Sequence, residues 1–484
     1  MKSIAEFLEL NKKCAKIAVV GDAMLDEYYE VKVTRISPEF PTQIMHSNDW
    51  QPAAVVPGGA ANVCLQMSNG FNVKCYLLSL IDNRSVGVFK KQPFDAEYCV
   101  TLTEKETHMP LKRRFYDGDY PLPRWDIEAP NYGFTVERLK NFQMMLLGNL
   151  NCLLEAKQID IVVLSDYGKG LFTNNNFAEM VIDLCKMYDI PTIVDPKNPP
   201  VDRWTGCTYF KPNAFEACKM TGLPHGNWHE HQIYLNKHHN IENVIITDGP
   251  NAPFVFLNER EIKLARQPNK QSVIGAGDCF CAFLAMCLAH KMSLTDAVEV
   301  SWNASSKYIE SKHNKPIMPH ELNQWSDPIR AKIVSVEEMR SIIGYDKSTF
   351  VWTNGCFDFA IHTGHLRTLE TAKKNGDKVI VGLNTDESVK ELKGATRPIL
   401  TWGQRAENLS HLQYVDFIVP IDDSTLQETI KVLKPSVLVK GDEYRDKHVI
   451  GSEHLGEWGG KIVFVPMVPK MSTTNNIKIS NEAK

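Results

Sequence analysis

Lys16-Ile17-Ala18-Val19-Val20 runs directly into Gly21-Asp22, a compact apolar, β-branched stretch closed by a polar turn. The pattern recurs. Ile159 to Leu164 leads into Ser165-Asp166, Ile193-Val194 into Asp195, and Val244 to Ile246 into Thr247-Asp248-Gly249. Short strands without polar alternation are buried on both faces. With helical stretches between them they predict a parallel α/β sheet, with ligands at the strands' C-terminal ends. The segments Thr34 to Trp50 and Lys112 to Arg124 are less helical and predict a small extra sheet or lid over the site.

A second α/β pattern begins at Thr349. Its expected strands are Phe350 to Trp352, Val379 to Leu383, Phe417 to Val419, Val437 to Val439 and Ile462 to Val465. Between the halves, Ser335-Val336-Glu337-Glu338 has the spacing of a capping box at a helix start. The expected organisation is a first domain over 1–330, a linker helix over 331–348 and a second domain over 349–484. At 484 residues the chain exceeds one ordinary core.

Composition narrows the class. The chain is 43% hydrophobic and 23% charged, with a formal net charge of −4. This argues against nucleic acid or an anionic membrane as the main partner. No apolar run reaches bilayer length, and Met1 to Lys13 lacks a signal-peptide core. The expectation is a cytoplasmic enzyme. Twelve cysteines occur without any C-x-x-C pair, so they read as small buried hydrophobes rather than zinc ligands or disulfides.

Two motifs carry chemistry. Gly275-Ala276-Gly277-Asp278 precedes an apolar stretch. A glycine turn at a helix N-terminus aims unpaired N–H groups at one point and favours a phosphoryl group in transit there. Asp278, one step into the helix, suits a general base for an attacking hydroxyl. Alone, the turn reads equally as a tight turn with an N-capping acid. It is accompanied by Pro57-Gly58-Gly59-Ala60-Ala61-Asn62 and by Lys211-Pro212-Asn213-Ala214-Phe215-Glu216. Asn213 and Glu216, three apart, suit the water shell of Mg²⁺ without a direct protein–metal bond. The second motif is His362-Thr363-Gly364-His365, after Thr353-Asn354-Gly355-Cys356-Phe357-Asp358. Two imidazoles at a helix start can stabilise charge during displacement at an α-phosphorus, with the substrate's own phosphate as nucleophile. A zinc reading lacks a third ligand at suitable spacing.

From about residue 15 to 320 these residues resemble the ribokinase-like sugar kinases. The resemblance implies that Asp278 is the catalytic base and that Gly275, Ala276 and Gly277 form the anion hole. It makes Asn213 and Glu216 the Mg²⁺-phosphate motif, and Asp22, Gly59 and Asn62 sugar-binding positions. Asn303, in Trp302-Asn303-Ala304, falls where the family lines its adenine pocket. Val20 to Asp26, Arg35-Ile36-Ser37-Pro38-Glu39, Leu164 to Gly170 and Asp195-Pro196-Lys197 resemble the heptose 7-phosphate kinase branch. A phosphorylated sugar needs cationic anchors. Lys112, Arg113, Arg114 and Arg124 are available, and Arg124 beside Trp125 is preferred. Ile274 and Ala252 depart from the family's usual threonine and glycine.

From about 349 to 480 the chain resembles the cytidylyltransferase-like nucleotidyltransferases, through Asn354, Gly355, Phe357, Lys393-Gly394, Arg397-Pro398, Val439 to Asp442 and Ser472-Thr473-Thr474. The resemblance implies that His362 and His365 bind the triphosphate. Lys393, Arg397, Ser472, Thr473 and Thr474 become phosphate contacts. Three residues, Phe359-Ala360-Ile361, separate Asp358 from His362 where the family has fewer, and Val468 to Met471 lack an arginine-containing lead.

The order of the halves resembles the bifunctional ADP-heptose synthases of lipopolysaccharide core synthesis. By that resemblance the substrates are a heptose phosphate and ATP, with Mg²⁺. A separate bisphosphate phosphatase is implied, because the two domains leave no stretch for one. A homodimer is expected, with neither nucleic acid nor membrane as partner. The same architecture suits another sugar phosphate or CTP, and a nucleotide-binding regulatory protein with one inactive site is the alternative class.

Overall fold

The computed structural model describes residues 2–102, 109–118, 120–173, 176–249, 251–257, 260–262, 275–309, 315–326, 329–346, 348–358 and 361–466. It divides into two compact units, Met1–Ile317 and Met318–Lys484.

The first unit is built on an eight-stranded sheet. From one edge its order is Arg260–Ile262, Asn251–Leu257, Asn243–Asp248, Tyr209–Phe210, Thr192–Asp195, Ile161–Ser165, Ala15–Gly21 and Val73–Leu78. The six strands from Asn243–Asp248 onward pair in parallel, and the two at the other edge are antiparallel. Ile17 to Val20 and Ile161 to Leu164 are buried throughout, as strands covered on both faces must be. The helix Ala276–Ala289 is buried from Cys279 to Leu288 and packs against the helices Ala60–Ser68 and Leu294–Tyr308. That burial aims its N-terminus, and so Asp278, at the C-terminal ends of the strands.

A separate four-stranded sheet has the order Tyr120–Ile127, Leu111–Asp117, Ala23–Glu30, Ala54–Gly59. The expected strand material at Lys112 to Arg124 is part of it. Thr34 to Trp50 is not: its strands Lys32–Ile36 and Gln43–His46 pair only with each other.

The second unit is a five-stranded parallel sheet in the order Phe417–Ile421, Lys378–Asn384, Phe350–Gly355, Val437–Gly441, Lys461–Val465. Alternate residues feed two cores. Trp352, Ile380 and Leu438 join one, and Val351, Val379 and Val437 the other. The strand order reverses beside Phe350–Gly355, which makes the end of that strand the expected ligand crevice.

The division falls at Ile317/Met318 rather than near 330. The helix Pro319–Ser326 belongs to the second unit, where the His320 ring meets Phe417. The segment expected as a linker helix is also part of that unit. Ser335 and Glu338 do form a capping box at the start of Val336–Tyr345. Met339 and Ile342, however, are buried in one core with Ile421, Ile430 and Leu433. Apolar residues at helical spacing after the cap are what turn a connector into a core element.

Candidate active sites

The first unit holds a cavity of about 640 Å³ at the C-terminal ends of its strands, lined by Gly275, Ala276, Gly277 and Asp278 together with Gly59, Asn62, Asn213, Glu216 and Arg124. Gly275 caps the helix in a left-handed conformation, φ 76°. A Cβ there would lie 2.4 Å from the Tyr308 hydroxyl, so glycine is required twice over. Asn62 donates to Asp278 Oδ2 at 2.7 Å, and the Tyr167 hydroxyl donates to Oδ1. Burial raises the Asp278 pKa, opposed by Tyr167, Asn62, Lys211 and Lys112. The arrangement suits a carboxylate that must accept a proton.

Asn213 and Glu216 form a capping box of their own. Asn213 Oδ1 accepts from the Glu216 N–H at 2.8 Å, and Glu216 Oε2 from the Asn213 N–H at 2.9 Å. Glu216 Oε1 meets Lys197 Nζ at 2.9 Å. The box fixes both side chains at the cavity wall. Also in the cavity lining, Asp195 pairs with the buried Lys211 at 2.9 Å. Burial lifts the Asp195 carboxyl to about 7 against the pull of Lys211.

Two expected ligand positions are not at the cavity. Asp22 is fully buried and outside the lining. Its carboxylate accepts from the Tyr132 hydroxyl and from the backbone N–H groups of Tyr167, Lys169 and Leu171. It therefore holds a loop. Asp26, four residues further on, does line the cavity and is ion-paired with Arg114 at 2.7 Å. The pair joins strands 88 positions apart, which local spacing does not reveal. Asn303 points its amide at the Glu299 carbonyl, 2.8 Å away, and is absent from the lining. Trp302, Ser305 and Ile309 line it instead, one helical face displaced by a residue.

Strand alternation sorts the cations. Lys112, Arg114 and Arg124 line the cavity, and Arg113 does not. Arg113 lies opposite Trp125 in the register, stacks on it at 5.1 Å and pairs with Glu27 at 2.9 Å. Arg124 is thus on the opposite face from its neighbour Trp125, paired with Asp126 at 2.7 Å. Ala252 lies in the strand Asn251–Leu257, outside the cavity lining, and Ile274 is outside the described residues.

In the second unit, His362 is the N-cap of the helix Thr363–Lys374. The His362 and His365 rings stack with centroids 3.8 Å apart. Burial lowers the pKa of both, and the nearby His362 helps push His365 down to about 4. Their Nδ1 atoms are buried without a hydrogen-bond partner among the described residues. Phe357, at φ 47°, lays its ring 4.8 Å from His365 and supports it. Gly364 lies under His362, where a Cβ would come within 3.0 Å of the ring.

Asn354 Oδ1 accepts from the Trp352 indole at 3.2 Å. Gly355 ends the same strand against the Phe357 ring. Arg397 is not a free phosphate contact here. It is paired with the buried Asp358, which also accepts from the Ile399 and Leu400 N–H groups. Burial would raise the Asp358 pKa, but Arg397 and these N–H groups outweigh it and lower the value. Lys393 is exposed at the end of the helix Asp386–Lys393. Ser472, Thr473, Thr474, the 468–471 lead, Phe359 and Ala360 lie outside the described residues.

Two cations without an assigned role stand out. Arg405 is completely buried and donates to the carbonyls of Cys356, Asn384 and Leu400 and to Asp386. It ties the motif loop to the end of the next strand. Lys440, at the end of Val437–Gly441, has its pKa lowered to about 8 by burial and faces the Asn354 carbonyl at 3.4 Å. The apolar run Val437-Leu438-Val439 before Lys440 signals burial but not the partner, whereas Gln404, Ala406 and Glu407 around Arg405 give no such signal.

Residues 150–320 match the pfkB family of carbohydrate kinases, and residues 352–480 match the cytidylyltransferase-like family. The bifunctional protein HldE of Campylobacter jejuni strain RM1221 is 33% identical over 453 residues, 92% of this chain and 94% of its own. The same-named protein of Helicobacter hepaticus is 31% identical over 494 residues, 98% of each chain. Phosphofructokinase-2 from Escherichia coli in complex with potassium aligns with a TM-score of 0.51 at 15% identity, over 64% of this chain and 97% of that one. This last likeness is one of fold.

A ribokinase-like sugar kinase followed by a Rossmann-type nucleotidyltransferase is the class that folds and matches together define. Identity at this level over nearly the whole of both chains goes further: this chain belongs to the HldE family of bifunctional proteins. It is an enzyme with a kinase unit and a nucleotidyltransferase unit. No helix among the described residues is long and apolar enough to cross a membrane.

Proposed function

We propose that the first unit phosphorylates D-glycero-D-manno-heptose 7-phosphate at O1 with ATP. The second then joins AMP from ATP to heptose 1-phosphate, making ADP-heptose for the lipopolysaccharide core. The observation that carries the first half is a half-buried acid, Asp278, behind a left-handed glycine turn, in one cavity with Lys112, Arg114 and Arg124.

In the kinase step the heptose O1 attacks the γ-phosphorus of ATP, its proton passes to Asp278, and the bond to ADP breaks. The N–H groups of Gly275, Ala276 and Gly277 face the phosphoryl group in transit. Gly59 and Asn62 contact the sugar. Arg124, with Lys112 beside it, receives the 7-phosphate. ATP brings Mg²⁺, which neutralises phosphate charge. Asn213 and Glu216 suit it through water, because Mg²⁺ keeps several waters and Glu216 is already committed to Lys197.

In the second step a phosphate oxygen of heptose 1-phosphate attacks the α-phosphorus and pyrophosphate leaves. His362 and His365, whose Nδ1 atoms have no hydrogen-bond partner among the described residues, are suited to the triphosphate. Asn354, Gly355, Phe357 and Lys393 complete the nucleotide site, with Ser472 to Thr474. Arg397 serves there either directly or by holding Asp358.

A separate phosphatase converts the bisphosphate between the steps, and the proposed setting is a homodimer in the cytoplasm. Asp278→Asn tests the central assignment. It should cut sugar phosphorylation by about a hundredfold to ten-thousandfold, as loss of a positioned base does. Pyrophosphate release from ATP and heptose 1-phosphate should stay normal. A kinase rate equal to wild type would sink it.

A further inference from the structure

We infer that Tyr167 is a positioning residue for sugar phosphorylation, clamping Asp278 together with Asn62 and itself held in place by the buried Asp22. The inference rests on Asp278 being the proton acceptor.

The geometry begins with the loop. Leu164-Ser165-Asp166-Tyr167-Gly168-Lys169-Gly170 leaves the strand Ile161–Ser165, and its last backbone bond to the neighbouring strand is from the Asp166 N–H to the Asp195 carbonyl at 3.0 Å. Its backbone is held by Asp22. Oδ2 accepts from the N–H groups of Tyr167 at 3.0 Å and Lys169 at 3.1 Å, and Oδ1 from Leu171 at 3.1 Å. Gly168 and Gly170, at φ 66° and 135°, let the chain turn around that carboxylate. A Cβ at Gly170 would lie 2.6 Å from the Asn131 backbone. Three bonds to one fully buried acid fix Tyr167 from below, and its hydroxyl reaches Asp278 Oδ1.

The two oxygens of Asp278 are then each engaged by a neutral donor, Tyr167 on one and Asn62 on the other. Both donors favour the ionised carboxylate, which is the form able to accept a proton. They also fix its plane. Each carboxylate oxygen keeps a second lone-pair site, so the sugar hydroxyl can bond to Asp278 without displacing Tyr167. The other groups facing Asp278 are the cations Lys112 and Lys211, the acid Asp195, and the neutral Tyr308 and Cys281. Burial works against the ionised form, and Tyr167 opposes it.

Tyr167→Phe keeps the ring and removes the donor. In the full chain its kcat for sugar phosphorylation should lose activity in acid sooner, with the acid limb displaced upward by roughly one pH unit. KM for ATP should stay within twofold, and nucleotidyl transfer should be unchanged. A folded variant, with an unaltered melting temperature and an acid limb at the wild-type position, overturns the inference. Asp278→Asn separates the two readings. If it abolishes the kinase while the Tyr167→Phe profile is unmoved, only the clamp fails. If Asp278→Asn leaves the kinase intact, the base assignment fails and the clamp with it. Asp22→Asn gives a second arm: in the Tyr167→Phe background it should displace the acid limb no further. An additional displacement there would show that Asp22 acts by another route and also overturn the chain of positioning.

Discussion

Stacked 3.8 Å apart, His362 and His365 cannot both carry charge cheaply. Burial lowers both, and His365 falls to about 4. The folded value thus lies below the ordinary imidazole value of roughly 6.5. Between about 6.5 and about 4 the unfolded chain binds more protons than the folded one, so stability falls as pH falls through that window. We predict that the second unit's melting temperature drops between pH 7 and pH 5, and that His365→Ala flattens the dependence. ATP should restore part of it, since phosphate anions favour protonated rings. Either His→Ala change should also cut pyrophosphate release and spare the kinase. If both variants made nucleotide sugar at the normal rate, the reaction centre would lie elsewhere. These histidines were legible in the sequence because chemistry and spacing coincide within four positions. Asp22 was misread for a physical reason. An acid after a strand-end glycine is equally suited to a ligand and to backbone N–H groups, and only the returning loop decides between them.

At the scale of elements, the start of the helix Ala276–Ala289 separates packing from chemistry. Gly275 is left-handed and crowded by Tyr308, whereas a Cβ at Gly277 would meet nothing within 4 Å. Gly275→Ala should therefore destabilise the first unit by about 1–3 kcal/mol from backbone strain, before any contact with Tyr308. Gly277→Ala should leave the melting temperature within a degree or two and still slow the kinase, because its methyl enters the space the phosphoryl group crosses. Calorimetry and a coupled ADP assay distinguish them. A Gly277→Ala enzyme with full kcat would remove that glycine from the anion hole. The helix itself was legible from its apolar run. The phase of the next one was not: Trp302, Ser305 and Ile309 face the cavity, while Asn303 faces Glu299. A polar residue in a half-buried helix serves a ligand or a carbonyl equally well, and only tertiary packing fixes the rotation.

Over the whole molecule, the two sheets have separate cores and separate chemistry. The strand runs announced both sheets because fully buried parallel strands leave an unmistakable apolar signature. The division at Ile317/Met318 was harder to see, since Pro319–Ser326 and Val336–Tyr345 gain their meaning only by packing on the second sheet. The proposed reactions do not join end to end. The kinase product carries phosphates at both O1 and O7, and the second step takes a monophosphate. The cationic wall of Lys112, Arg114 and Arg124 belongs to the first cavity. In the proposed first step it would retain the 7-phosphate, and it offers no group for removing it. We predict that the purified chain, given heptose 7-phosphate and ATP, accumulates the 1,7-bisphosphate. ADP-heptose should then form only after a separate bisphosphate phosphatase is added. Mass spectrometry of the two mixtures decides the point. Abundant ADP-heptose without the phosphatase, or a nucleotide sugar that retains the second phosphate, would show the proposed order to be wrong.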